Sequence, residues 1–348
     1  MDDILAHLKA LVAADTRNPP RAITPDHPGV AHVVRALGAC GCAVKVSDLG
    51  EGSVNILGTR GRATSLINCH LDTVPASDAW TRDPFSLTIE GDRAYALGAC
   101  DVKGAASAVL AAAMESDAPI AILFTTDEEA GKAACVRTFL REPPAGIKRV
   151  LVCEPTGCRL GLSHPGLLSV KAEFHGRAGH SSSASPQSAL HDAIRWTSAL
   201  FDQFAGEGDD ALRHRLNIGR IEGGTKPNVC AEAATVLLGA RPATERDAAD
   251  LLDGCRNALP NRPPEIEVRF RAPGLAPTSG EAFADLAIER VEALPFWTEG
   301  ALFAEAGIPT AILGPGDIAQ AHAADEYVEL AQLGLAKARY IQFMEASR

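Results

Sequence analysis

Three runs of this chain are apolar along most of their length, and each leads into residue types that can bind cations. Ser65–Cys69 leads into His70 and Asp72, Ile120–Thr125 into Asp127, Glu128 and Glu129, and Val150–Cys153 into Glu154. A strand apolar on both faces has to be covered on both sides, which is the condition of strands inside an α/β sheet. Open sheets of that kind place their sites beyond the strand ends. One pattern therefore predicts the architecture and the location of the chemistry together.

The segments between these runs fit that architecture. Ile4, Leu8, Leu11 and Val12 recur at helical spacing, as do Val30, Val33, Val34 and Leu37. Further strands are expected at Ala43–Val46 and Val54–Leu57, and helices at Ala105–Glu115 and from about Glu129 to Leu140. After Glu154 the texture changes. Leu168–Phe174 alternates apolar and polar residues as a half-exposed antiparallel strand does, and Leu216–Ile221, Thr235–Leu238 and Ile266–Phe270 are similar. Helices over roughly Pro186–Phe204 and Glu245–Leu259 lie between them. A strand at Thr310–Leu313 and a helix over about Val328–Glu345 close the chain. The expectation is an α/β domain, a mixed sheet with helices on both faces, built from residues 1–163 and 273–348. An α+β domain is inserted at 164–272. The 348 residues agree with two domains at about 150 residues each.

Composition narrows the partners. The net charge is −11, from 33 basic and 44 acidic residues, which argues against nucleic acid or an anionic membrane. The longest apolar run, Ala118–Phe124, is too short to cross a bilayer. The start, MDDILAHLKALV, carries two acids and does not resemble a signal peptide. The nine cysteines are scattered with no Cys-x-x-Cys, and the close pairs are Cys40–Cys42 and Cys153–Cys158. Reduced thiols in a cytoplasmic protein are expected, and cysteine-held zinc is not.

Each candidate residue has a plainer reading beside the chemical one. His70 and Asp72 in extended geometry point to the same side, so one can ligate a cation while the other orients it. The alternative is a loop histidine and a turn aspartate bonded to backbone. Asp101, in LGACDVKGAA, can bridge two cations or simply cap the Ala-rich helix that follows. Asp127, Glu128 and Glu129 repel one another and need solvent or cations, or they form an acidic first helical turn. Glu154 repeats the strand-end pattern, and His322 lies in a Gly- and Ala-rich loop, GPGDIAQAHAADEY. Two histidines and several carboxylates without cysteine suit zinc, cobalt or manganese.

The ordered set HLDTVP, GACDVKG, TTDEEAG, CEPT, GRAGHSS and GPGDIAQAH resembles the M20 family of dinuclear metallopeptidases and deacylases over essentially the whole chain. TRNPPRA, NIGRIEGG, FWTEG and GPGDIAQAHAADE resemble its acetylornithine deacetylase group, and the N-acetylcitrulline deacetylase branch in particular. The resemblance implies two divalent ions, zinc or cobalt with manganese as a further candidate. His70 and Glu154 would hold one, Glu129 and His322 the other, and Asp101 would bridge. Asp72 would support His70, and Glu128 would take the proton from the bridging water and pass it to the leaving amine. A cis peptide at Asp101–Val102 is also implied.

The inserted domain would be the lid and dimerisation domain of a homodimer. There His180 would reach the partner's site to stabilise the oxyanion, and Asn228 and Arg241 would contact the substrate carboxylate. Gly239 stands where an acid is usual, and NVCAEA replaces an Asn-Val-Ile-Pro run. Lys226 would discriminate a neutral ureido side chain from an ammonium, or it is a solvated loop lysine. No role is assigned to His175, His191 or His214. The implied activity is deacetylation of an N-acetyl-L-amino acid of arginine biosynthesis, acetylcitrulline or acetylornithine, to acetate and the free amino acid. Other specificities of the family, such as succinyl-diaminopimelate or dipeptide cleavage, are alternatives. An inactive metal-binding scaffold would require a broken ligand or base position, and every one is intact.

Overall fold

A computed structural model describes residues 1–348 except 21, 183–186, 205–214, 292 and 347–348. The chain begins with helices α1 (Asp2–Ala13) and α2 (Pro28–Ala39), then strands β1 (Ala43–Asp48), β2 (Val54–Arg60) and β3 (Ser65–His70). Short strands β4 (Thr88–Glu90) and β5 (Arg93–Tyr95) follow, then α3 (Lys103–Glu115), β6 (Ile120–Thr125), α4 (Ala134–Phe139), β7 (Arg149–Val152) and β8 (Leu160–Gly161). Next come β9 (Leu167–His175), β10 (Gly179–His180), α5 (Ala189–Phe204), β11 (Asn217–Gly223), β12 (Val229–Cys230), β13 (Ala233–Ala240), α6 (Glu245–Asn257) and β14 (Glu265–Ala272). The last elements are β15 (Arg290–Val291), α7 (Gly300–Glu305), β16 (Thr310–Ile312), β17 (Tyr327–Glu329) and α8 (Leu330–Glu345). The chain divides into two units. One comprises Met1–Ser163, Ala276–Leu294 and Thr298–Arg348, and the other His164–Leu275 and Pro295–Trp297.

The first unit is built on an eight-stranded mixed sheet in the order β1-β2-β6-β3-β7-β16-β8-β15. Its centre is parallel, with β3 between β6 and β7 and β16 beyond β7. One pleat face, including Ile67, Cys69, Ile122, Phe124, Leu151 and Cys153, shares a core with α2, α3 and α8. Helices α4 and α7 pack elsewhere on the sheet and meet through the rings of Phe139 and Phe303. Helix α3 has six alanines among its 13 residues, so it can lie close to its neighbours. A Cβ on Gly104 would come within 2.3 Å of the Ala99 carbonyl.

Two boundaries differ from the sequence expectation. The helix expected from Glu129 starts only at Ala134. The Asp127 carboxylate reaches forward and accepts from the N–H groups of Ala134 (2.8 Å) and Cys135 (3.2 Å), and Gly131 turns the chain at φ +63°. Glu128 and Glu129 therefore lie in a turn and not on a helix. The last helix starts at Leu330 because Tyr327–Glu329 pairs as a strand with β5.

The second unit is a four-stranded antiparallel sheet, β11-β13-β9-β14, with one face buried against α5 and α6. β9 alternates strictly between buried and half-buried positions until its exposed last residue. Trp196 (fully buried) donates its indole N–H to Cys255, and Thr244 and Asp247 form a capping box at the start of α6. The start expected near Pro186 for the first of these helices lies outside the described residues; α5 runs from Ala189. His164 and Leu275 exchange two backbone hydrogen bonds at 3.1 and 2.9 Å where the unit begins and ends. Gly166 and Gly274 allow that approach, since a Cβ on Gly274 would sit 2.7 Å from the His164 carbonyl.

Arg60, at the end of β2, joins two helix termini. Its guanidinium donates to the carbonyls of Cys40, after α2, of Ala113, in the last turn of α3, and of Ser116 and Ala118 beyond it. A cation at a helix C-terminus stabilises it, and each bond to a charged donor contributes about 1.5–3 kcal/mol before water replaces it. Arg60→Ala is expected to lower unfolding stability by roughly 2–4 kcal/mol, read as a lower urea midpoint at unchanged slope. An unchanged midpoint would mean that the four carbonyls are equally well served by solvent.

Candidate metal centre and active site

The ends of the parallel strands bring the predicted ligands together. His70, the last residue of β3, is 2% exposed. Its Nδ1 donates to the Asp72 carbonyl at 3.0 Å, and that bond leaves Nε2 as the nitrogen that can offer a lone pair once it is deprotonated. Nε2 lies 3.1 Å from Asp101 Oδ1 and 3.8 Å from Glu154 Oε1. On the other side, Asp101 Oδ2 is 3.3 Å from His322 Nε2, which in turn lies 2.9 Å from Glu129 Oε1. Two groups result, His70–Asp101–Glu154 and Asp101–Glu129–His322, each with its ligand atoms within 4.8 Å of one another. Asp101 belongs to both. The peptide between Asp101 and Val102 is cis.

Asp72 is fully buried and works in two directions. Its Oδ2 accepts from the Glu129 N–H at 3.0 Å, and its Oδ1 lies 3.5 Å from His70 Nδ1. It therefore couples the two groups through backbone and imidazole. Asp127, the first acid of its run, is not at the centre. It accepts from Ser53 Oγ at 3.0 Å and from the start of α4.

The electrostatics are those of a crowded acid cluster. Burial opposes the charge on Asp101, but the hydrogen bonds with His322 and His70 outweigh it and hold this carboxyl below the usual range. Burial pushes Glu154 and Glu128 well above that range, and Glu129 adds to the effect on Glu128. Burial also raises Glu129, against the bond from His322. Burial works against charge on His70 too, yet its bonds to Asp101 and Asp72 hold it well above an ordinary imidazole. His322 is pushed up to about 11 by its bonds to Asp101 and Glu129. The cluster's donor set of two imidazoles and three carboxylates, with one imidazole fixed in the ligating tautomer, fits divalent cations.

Three further buried groups stand around this centre, and the sequence reading gave none of them a role. Glu299 is pushed up to about 8, first by burial and then by Asp127, and accepts from Thr125 Oγ1 at 3.0 Å. Glu326 accepts from three backbone N–H groups of the segment that carries Asp101. Lys103 is 1% exposed and donates to the Ala14 carbonyl. Each sits in a motif already singled out (FWTEG, AADEY, CDVKG), which was the available signal.

The remaining predicted residues lie in the second unit. His180 is exposed on β10, which pairs with β12. Its Nδ1 accepts from the Ser182 N–H at 3.2 Å and lies 2.7 Å from Ser182 Oγ, so Nε2 carries the proton. Lys226 and Asn228 are exposed in the turn before β12, and Arg241 follows β13, half-buried.

Residues 66–346 match the family model for peptidase family M20/M25/M40, and the chain belongs to that family of hydrolases. It is 42% identical to the N-acetyl-L-citrulline deacetylase of Xanthomonas campestris pv. campestris, over 96% of each chain. It is 30% identical to the acetylornithine deacetylase of Myxococcus xanthus, over 96% of this chain and 95% of that one. Among solved structures, an M20 family metallo-carboxypeptidase from Sulfolobus solfataricus superposes with a TM-score of 0.78 at 17% identity, covering 99% of both chains.

Because ligand atoms must give up their protons, cation loading should release protons and stabilise the fold. Titrating metal-free protein with Co(II) in two buffers of different ionisation enthalpy should show proton release, together with a higher melting temperature. Loading without either effect would exclude this cluster as a cation site.

Proposed function

We propose that this protein is a metal-dependent deacetylase that hydrolyses an N-acetyl-L-amino acid to acetate and the free amino acid, with N-acetyl-L-citrulline as its preferred substrate. The observation that carries this reading is the 42% identity to an N-acetyl-L-citrulline deacetylase over 96% of each chain. N-acetyl-L-ornithine is the second candidate, favoured by relatives of that activity at 30% identity. Nine free cysteines and the absence, among the described residues, of a helix long and apolar enough to span a membrane are compatible with work in the cytoplasm.

His70 and Glu154 would hold one divalent ion, Glu129 and His322 a second, and Asp101 would be shared; zinc or cobalt suits the donors, and manganese is compatible. Two such ions, when bound, would supply Lewis acidity toward water and the amide carbonyl. Glu128, beside Glu129 and outside both ligand groups, takes the proton of the attacking water and returns it to the nitrogen as the amide C–N bond breaks. Asp72 keeps His70 in its ligating tautomer and holds the backbone of Glu129.

The inserted unit, 164–272, would act as lid and dimerisation domain. His180, with its proton on Nε2, is suited to donate to the oxyanion of a partner subunit's reaction. Asn228 and Arg241 would hold the substrate carboxylate. Lys226 would repel the ammonium of ornithine and donate to the ureido oxygen of citrulline.

Metal-loaded protein, with metal content measured on the same sample, should cleave N-acetyl-L-citrulline faster than N-acetyl-L-ornithine or succinyl-diaminopimelate. The reverse order would move the assignment to that substrate. Glu128→Ala should keep its metal and lose roughly a thousandfold in kcat. Full activity would remove Glu128 as the base. Lys226→Ala should shift the citrulline-to-ornithine ratio of kcat/KM by about tenfold, the effect of one nearby charge. An unchanged ratio would leave Lys226 a solvated lysine.

A further inference from the structure

We propose that Glu326 is a positioning residue for the metal centre: its carboxylate sets the segment that carries Asp101 and thereby fixes the distance between Asp101 and His322. The inference rests on the metal reading of that site. Glu326 is 2% exposed. Its Oε1 accepts from the N–H groups of Cys100 (2.8 Å) and Asp101 (2.9 Å), and its Oε2 from Gly98 (2.9 Å). The one remaining N–H of this stretch, Ala99, donates to Ala96. Residues 98–101 have no strand or helix of their own, so this carboxylate supplies the partners that regular structure would supply.

The segment is also tightly confined. Gly98 has φ +79°, and a Cβ there would meet Thr73 Cγ2 at 2.7 Å. In this loop all three N–H groups converge on a single carboxyl group, and bonds of this kind are short and strong when the acceptor is ionised. Lys103, buried just downstream, brings a positive charge close enough to offset part of the cost of burying this anion.

The clamp acts on both sides of His322. Glu326 follows His322 by four residues, and before His322 the Cys100 thiol donates to the Asp317 carbonyl at 3.4 Å. The segment from 317 to 326 is thus tied to the segment from 98 to 101 at both ends. Between those ties His322 Nε2 stands 3.3 Å from Asp101 Oδ2. Cation sites require ligand positions good to about 0.2 Å, so slack in either segment lowers affinity before it unfolds anything.

The test is a Co(II) titration of metal-free wild type, Glu326→Gln and Glu326→Ala. It follows the visible absorption bands and bound stoichiometry, with circular dichroism and melting temperature on the same samples. Asp247→Asn, at the buried capping box of the second unit, reports what stability loss alone does. Glu326→Gln can keep the two bonds at Oε1 but turns an amide NH2 toward the Gly98 N–H. It should fold, bind cobalt at least about tenfold more weakly and change the band intensities, as loss of a ligand-orienting partner does. Glu326→Ala should bind more weakly still, whereas Asp247→Asn should melt earlier with wild-type cobalt affinity. Wild-type affinity and spectrum in folded Glu326 variants would overturn the proposal. So would an affinity loss that Asp247→Asn shares at equal melting temperature. If Glu326→Ala does not fold, Glu326→Gln decides alone. Wild type that takes up no cobalt would sink the metal reading itself, and the proposal with it.

Discussion

Everything at this centre hangs on one carboxylate with two histidines. Asp101 faces His70 with one oxygen and His322 with the other. Those imidazoles arrive from a central strand of the sheet and from a loop near the chain's end, so this contact makes remote parts of the sequence into a single site. A shared carboxylate also sets the spacing of whatever lies on either side of it. The other acids can relax individually, but Asp101 cannot move toward one group without leaving the other.

The sheet makes the contact possible. β3, β6 and β7 run parallel, so their ends emerge at the same edge: His70 as the last residue of β3 with Asp72 beyond it, the acidic turn after β6 and Glu154 after β7. Five acids and imidazoles in one place is costly in the absence of cations. The cluster answers by raising the proton affinity of Glu154, Glu128 and Glu129. The packing beneath does not relieve this. Glu299 and Glu326 add carboxyls of their own, each held by hydrogen bonds from the protein. So many buried acids beside two imidazoles form the kind of donor set that could hold a cation.

The parts of this arrangement legible in the sequence were those set by short-range pattern. An apolar run ending in an acid or a histidine marks a strand end, and the pattern pointed to His70, to the run Asp127, Glu128 and Glu129, and to Glu154 as candidates. The alternation after Glu154 marked the half-exposed sheet of the inserted unit. What escaped depends on contacts between distant segments. Asp127 looked like its two neighbours, but it caps a helix, because only the folded turn brings Ala134 and Cys135 over its oxygens. Strands β4, β5 and β17 have three residues each, fewer than any periodicity can register. Glu326 was given no role, and it is buried where residues 98–101 close on its carboxylate.

The neck at His164 and Leu275 has a consequence of another kind. The strands entering and leaving the inserted unit lie side by side, joined by a pair of hydrogen bonds and by two glycines that let the backbones touch. A continuous stretch whose two ends coincide can change in length without moving the segments that flank it, although this unit also takes in Pro295–Trp297. The host's own strand order is unaffected, because no sheet strand of the first unit passes through the insertion.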